Sequence, residues 1–130
     1  ATCFDYPVGK IPQMDVYEFQ ADEKLRELAK ACSREVIPDV GVFEGRVVSG
    51  DQFVSSREKK DWLVKTFGGY CTEMEGAAIA QAAYLNNIPF LVIRSISDKA
   101  DDSAHMDYPA FEAKAAENSV KLMIAMAERL

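Results

Sequence analysis

The chain has 130 residues, which is enough for one compact domain and too few for two. It carries 15 basic and 21 acidic residues, a net charge of −6. Such a surface repels phosphate backbones and anionic lipid, so nucleic-acid and membrane-surface binders are not expected. No apolar run is long enough to cross a bilayer. Three widely spaced cysteines fit free thiols in a reducing compartment, so we expect a cytoplasmic protein.

The first half of the chain predicts two helices around one strand. Asp22 can cap a helix whose apolar residues recur at helical spacing and which ends before Pro38. Residues 40–48 are rich in β-branched and apolar side chains and predict a strand. A second helix starts at Ser55 or Ser56 and stops at the glycine pair 68–69.

The second half continues the alternation. Residues 70–73 read as a short extended piece, and the alanine-rich residues 75–85 as a helix. Residues 89–97 contain the apolar run FLVI, which is typical of a strand covered on both faces. The last helix is expected over residues 108–128. The order predicts an α/β layered domain over residues 1–130, with a mostly parallel or mixed sheet flanked by helices.

Ligands of such sheets bind where the strands end, and residues 49–53 and 94–98 follow two predicted strands. Phe53 could stack on a base, although a core phenylalanine is about as good an interpretation. Asp98 follows a buried strand, where a partly dry carboxyl has a raised pKa and can donate a proton to a purine nitrogen. The competing interpretation is that Ser97 and Asp98 only start a turn, but that leaves the charge of Arg94 unexplained.

A third candidate is the pair of carboxylates around Met74. Glu75, near a helix N-terminus, gains from the helix dipole and is suited to holding a vicinal diol with both oxygens. Taken alone, Glu73, Met74 and Glu75 fit an ordinary helix start with a buried methionine better.

A metal site is not expected. Asp98, Asp101, Asp102 and His105 lie close in sequence, but they lack the spacing of zinc or calcium ligands. With a single histidine, no Ser-His-Asp or Cys-His arrangement is credible, and no cofactor is indicated.

Read together, three segments resemble a known family. Residues 49–54, 73–80 and 92–101 read SGDQFV, EMEGAAIA and VIRSISDKAD. In order and spacing they resemble 5′-methylthioadenosine/S-adenosylhomocysteine nucleosidase, of the nucleoside phosphorylase superfamily. The resemblance covers essentially the whole chain but only the C-terminal half of the family's fold. The N-terminal half, with the glutamate that positions the attacking water, is not in this chain.

The resemblance implies hydrolysis of the N-glycosidic bond of methylthioadenosine and S-adenosylhomocysteine, as in methionine salvage. Asp98 would protonate adenine N7, with Ser97 orienting it. The implied binding residues are a stacking Phe53, the backbone of Val54 at the adenine edge, Met74 and Glu75 at the ribose, Arg94 supporting Glu75 or the 2′ oxygen, and Tyr108 in the 5′-thio pocket. An N-terminal fragment and a homodimer would complete the enzyme.

Three alternatives stay open. A purine nucleoside phosphorylase would use phosphate in place of water, but residues 106–113 lack the arginine that supports the acid in the bacterial hexameric enzymes. An inactive purine-binding fragment is the second alternative, because the water-activating base is missing. The related aminodeoxyfutalosine activity is the third.

Overall fold

The computed structural model describes residues 5–96 and 108–130. Its helices and strands follow in the order α1 (Glu23–Val36), β1 (Arg46–Ser49), α2 (Arg57–Phe67), β2 (Gly69–Glu73), α3 (Gly76–Leu85) and α4 (Tyr108–Ala127). The two strands pair in parallel, as the predicted α/β alternation requires.

The helix limits follow from local side-chain chemistry. The Asp22 carboxylate accepts a hydrogen bond from the backbone N–H of Leu25 at 2.9 Å and begins α1. Ser56 accepts from the N–H of Lys59 at 3.2 Å and begins α2. Gly68 ends α2 in the left-handed conformation, with φ of +64°. The predicted limits of both helices are confirmed.

The parallel register brings the C-terminal ends of β1 and β2 side by side. Ser49 lies opposite Glu73, and the N–H of Gly50 donates to the carbonyl oxygen of Glu73 at 3.1 Å. Side chains that follow or end these strands therefore meet at one edge of the sheet, where parallel α/β sheets bind ligands.

The predicted strand over residues 40–48 is wrong in its first part. Strand β1 begins only at Arg46, and the side chains of Val40, Val42 and Phe43 are exposed. The tight packing at Gly45 fits this irregular path, because a Cβ atom there would lie 2.2 Å from the ring of Tyr70. β propensity makes a strand only where a neighbouring strand completes its hydrogen bonds, and β2 pairs with no more than the last part of this segment.

The predicted strand over residues 89–97 is also not formed within the described residues, which end at residue 96 there. The segment has no regular secondary structure and is joined to the N-cap residue of α1 by a hydrogen bond from the N–H of Asp22 to the carbonyl oxygen of Phe90, at 2.9 Å. Leu91 and Val92 are half-buried and Ile93 is exposed, so the expected burial on both faces is not seen either. A strand so apolar needs neighbours on both sides, and the described residues do not supply them.

The best-formed core lies between α1 and α4. It consists of small and flexible side chains, namely Ala29, Cys32, Leu122, Ala125 and Met126, and Leu91 packs against it. On the last helix, which was predicted from the sequence, Leu122 and Met126 are buried. Cys32 is a buried free thiol and Cys71 a half-buried one. No helix in the described ranges is both long and apolar enough to span a membrane.

Candidate functional site

The candidate site starts from the pair of residues that end the two strands. The Ser49 hydroxyl donates a hydrogen bond to Oε1 of Glu73, which faces it in the sheet register. The same hydroxyl oxygen accepts a hydrogen bond from the backbone N–H of Ala77 at 2.7 Å. The end of β1 is thereby fastened to the first turn of α3.

Glu73 caps α3 from inside the protein. Its Oε2 accepts hydrogen bonds from the backbone N–H groups of Glu75 and Gly76, at 3.0 and 2.7 Å. A Cβ atom on residue 76 would lie 2.9 Å from Oε1 of Glu73, so glycine permits this close approach. The first N–H groups of a helix have no partners within the helix, and here a carboxylate and a serine satisfy three of them.

The surroundings of Glu73 favour its charged form. Burial alone would raise its pKa, but the Ser49 hydroxyl, the N–H groups of Glu75 and Gly76, and the charge of Arg94 outweigh it and lower the pKa below the ordinary value. The residue is only 7% exposed and is therefore a buried carboxylate at the strand edge. Of the two carboxylates around Met74, the sequence assigned a binding role to Glu75 and none to Glu73. The sequence feature that could have pointed to Glu73 is an acidic residue directly before a predicted helix start that contains a glycine.

Glu75 has a different role from the one expected at a helix start. It occupies the N-cap position of α3 but makes no capping hydrogen bond with its side chain. The hydrogen bonds at the start of α3 are made by Glu73 instead, and the expected gain of Glu75 from the helix dipole stays a prediction. The Glu75 side chain is 62% exposed, and its Oε2 lies 3.6 Å from Nη1 of Arg94. Its carboxylate is thus accessible to a ligand.

Arg94 joins the two carboxylates. Its Nη1 lies 3.7 Å from Oε2 of Glu73 and 3.6 Å from Oε2 of Glu75. The guanidinium group therefore connects the segment 88–96 to the edge formed by β1, β2 and α3. The resemblance implied that Arg94 supports either Glu75 or the 2′ oxygen, and the structure brings Arg94 close to Glu75.

Three further predicted binding residues lie close in sequence to the ends of β1 and β2. Phe53 is 86% exposed and Met74 is 46% exposed, so neither side chain is buried by the described residues. Val54 is half-buried and lines an open cleft together with Ser49, Ala77 and Arg94. Exposed apolar and aromatic side chains beside a cleft are available to a planar, partly apolar ligand.

The remaining predicted site residues, or their side chains, lie outside the described part of the chain. Ser97, Asp98 and His105 lie outside the described residues. Tyr108 is the first residue of α4, and its side chain lies outside the description as well. Among the described residues, no group of three histidine, cysteine, aspartate or glutamate side chains could hold a metal ion.

Comparison with known proteins shows which family the chain resembles. The sequence model of the phosphorylase superfamily matches residues 2–128. A 5′-methylthioadenosine/S-adenosylhomocysteine nucleosidase of Desulfotalea psychrophila is 42% identical over 132 residues, covering 100% of this chain and 55% of that protein. An aminodeoxyfutalosine nucleosidase of Helicobacter pylori is 40% identical over 129 residues, covering 99% of this chain and 54% of that protein.

A solved structure agrees in fold. It is an aspartate-to-asparagine mutant of the nucleosidase MTAN of Helicobacter pylori, with 5′-methylthioadenosine in its active site. It has a TM-score of 0.82 and is 37% identical, covering 97% of this chain and 53% of that chain. The chain spans about half the length of the curated relatives it matches. With α/β architecture, a parallel sheet and a match over nearly its whole length, the chain belongs to the phosphorylase superfamily.

Proposed function

We propose that this chain carries the adenine- and ribose-binding part of an enzyme that hydrolyses the N-glycosidic bond of methylthioadenosine and S-adenosylhomocysteine. One observation carries the proposal. Glu75 presents an exposed carboxylate at the C-terminal edge of two parallel strands, and Arg94 lies 3.6 Å from it. A carboxylate in that position can accept hydrogen bonds from both hydroxyls of a ribose, while the arginine holds its orientation.

The base would bind beside this edge. Phe53 has the exposed ring needed to stack on adenine. Val54, the next residue, lines the open cleft, and its backbone would bind the edge of the base. Met74 offers apolar surface to the sugar, and Tyr108 would line the pocket for the 5′-thio group. Relatives named for adenine nucleosides, and the Helicobacter pylori structure with methylthioadenosine, support this class of substrate.

The chemical step requires an acid at the base. Adenine is a poor leaving group, and protonation of N7 removes the negative charge that would build up on it as the bond breaks. Asp98 would supply that proton and Ser97 would orient its carboxyl group. Acid assistance of this kind is worth on the order of 10²–10⁴ in rate. Water would then attack the sugar carbon.

The rest of the fold has to come from a further segment. Because the chain spans about half of its curated relatives, residues 1–130 would form the C-terminal part of one nucleosidase domain. An N-terminal segment would supply the base that activates water, and a homodimer would close the 5′ pocket. We infer that the complete enzyme, meaning this chain with that segment, works in the cytoplasm in methionine salvage.

The test is product analysis with the complete enzyme. We expect release of adenine from methylthioadenosine and S-adenosylhomocysteine in buffer without phosphate, measured by chromatography. Aminodeoxyfutalosine belongs in the same assay, because a 40% identical relative is named for it. A requirement for phosphate, with a ribose 1-phosphate product, would identify a phosphorylase instead. Failure of the folded complete enzyme to release any base would refute the proposal.

A further inference from the structure

Glu73 is a buried carboxylate to which the proposed reaction assigns no task. Burying a charge is costly unless hydrogen bonds and an opposite charge compensate it. Glu73 has both: the Ser49 hydroxyl on one oxygen, two backbone N–H groups on the other, and Arg94 at 3.7 Å. Because several partners hold the Glu73 carboxylate, its position is more tightly fixed than that of the exposed Glu75 carboxylate.

These contacts fasten three segments to one side chain. Ser49 belongs to the end of β1, the N–H groups belong to the start of α3, and Arg94 belongs to the segment 88–96. Two of the three segments carry residues of the proposed ribose site. Glu73 therefore acts on the site through Glu75 and Arg94 without lying beside the sugar itself.

The arginine is shared between two carboxylates at nearly equal distances, 3.7 and 3.6 Å. A guanidinium group between two such partners is held by both. If the charge of Glu73 were removed, Arg94 would keep Glu75 as its one carboxylate partner in this cluster, and the pair would tighten. A Glu75 carboxylate drawn to Arg94 has less capacity to accept hydrogen bonds from ribose hydroxyls.

We propose that Glu73 is a positioning residue that balances Arg94 and so keeps the Glu75 carboxylate available to the ribose diol. The inference rests on the proposed function, since it assumes that Glu75 binds the sugar. It goes beyond helix capping, because a cap alone would not influence which sugar the site prefers.

The experiment compares two substrates in Glu73→Gln of the complete enzyme. Glutamine has a similar shape, and its oxygen can still accept from the backbone N–H groups, but it lacks the charge. We expect kcat/KM for methylthioadenosine to fall about tenfold or more, chiefly through KM, as for the loss of a hydrogen bond to a charged group. For the 2′-deoxy analogue, which lacks one of the hydroxyls, the fall should be clearly smaller.

A capping role alone gives a different result. If Glu73 only stabilises α3, both substrates lose the same factor, and the inference is overturned. Ser49→Ala is the matched control, because it removes two hydrogen bonds of the same network without removing the charge. It should lower the unfolding temperature while leaving the ratio of the two kcat/KM values as in the wild type.

A second variant tests the need for the charge if Glu73→Gln does not fold. Glu73→Asp keeps the charge on a shorter side chain, so it should retain the wild-type preference for the ribose substrate even if its stability falls. Loss of that preference in folded Glu73→Asp would overturn the inference. Wild-type enzyme that cleaves neither substrate would instead refute the proposed function, so the two failures can be told apart.

Discussion

Glu73 and Glu75 are two residues apart, yet their surroundings differ completely. Glu73 is enclosed by hydrogen-bond donors and has a lowered pKa, whereas the side chain of Glu75 is 62% exposed and has Arg94 at 3.6 Å. A carboxylate whose hydrogen bonds are all made within the protein has little left to offer a ligand. An exposed carboxylate beside an arginine can still accept hydrogen bonds from a ligand, which supports the proposal that Glu75 binds the sugar while Glu73 has a structural task.

At the residue scale, the proposal that Asp98 is the acid predicts the effect of a single substitution. Asp98→Asn keeps the shape of the side chain but removes the transferable proton, so turnover of methylthioadenosine by the complete enzyme should fall by on the order of 10²-fold or more. Nucleoside binding should change little, because the amide can still hydrogen-bond to the base. Single-turnover kinetics and equilibrium binding separate the two effects. Turnover close to that of the wild type would contradict the acid role.

At the scale of elements, the chain turns sharply between α2 and β2. Gly68 adopts φ of +64° at the end of α2, and its N–H donates to the carbonyl oxygen of Val64 at 2.8 Å. Directly after it, a Cβ atom at Gly69 would lie 2.7 Å from the Val48 side chain. The first glycine allows the turn and the second allows β2 to approach β1, so this pair sets the path into the sheet.

Gly68→Ala should therefore destabilise the protein by about 1–2 kcal/mol, the cost of a left-handed conformation for a residue with a Cβ atom. No atom lies within 4 Å of the added methyl group, so the effect isolates backbone strain. Urea unfolding followed by circular dichroism measures it. Gly50→Ala is the matched control, with equally open space but no positive φ, and should stay within about 0.5 kcal/mol. Equal losses in both variants would exclude backbone strain as the cause.

At the scale of the whole molecule, the described residues leave much apolar surface uncovered. Large apolar side chains more than half exposed include Phe43, Tyr70, Ile79 and Met123. Patches of this kind are typical of surfaces that pack against another part of a protein. Together with the coverage of about half of the curated relatives, they support the proposal that a further segment completes the fold.

We expect the chain alone to bind a hydrophobic dye such as ANS strongly. Addition of the N-terminal segment should reduce the dye fluorescence, because it would cover the exposed apolar side chains, and adenine release should appear at the same molar ratio. Titration with fluorescence and product detection measures both. An unrelated protein of similar length serves as the control. Unchanged fluorescence together with absence of activity would contradict the completion of the fold by that segment.

Structural features that depend on local interactions were predicted correctly from the sequence. Asp22 and Ser56 cap the helices they were expected to cap, and Gly68 ends α2, because these effects act within three or four residues. The alternation of helices and strands likewise follows from periodicity, and it predicted a ligand-binding edge where the strands end, whereas a contact of Arg94 with Glu75 was implied only by the family resemblance.

Features that need distant partners could be recognised only from the three-dimensional contacts. Residues 40–45 and 88–96 have strand-like sequences, but a strand forms only where a neighbour accepts its hydrogen bonds. Which glutamate caps α3 depended on the register that sets Ser49 opposite Glu73, and sequence spacing carries no information on that register. Hydrogen bonds across the sheet thus separated a buried, structural Glu73 from an accessible Glu75, where the sequence showed only two acidic residues beside a methionine.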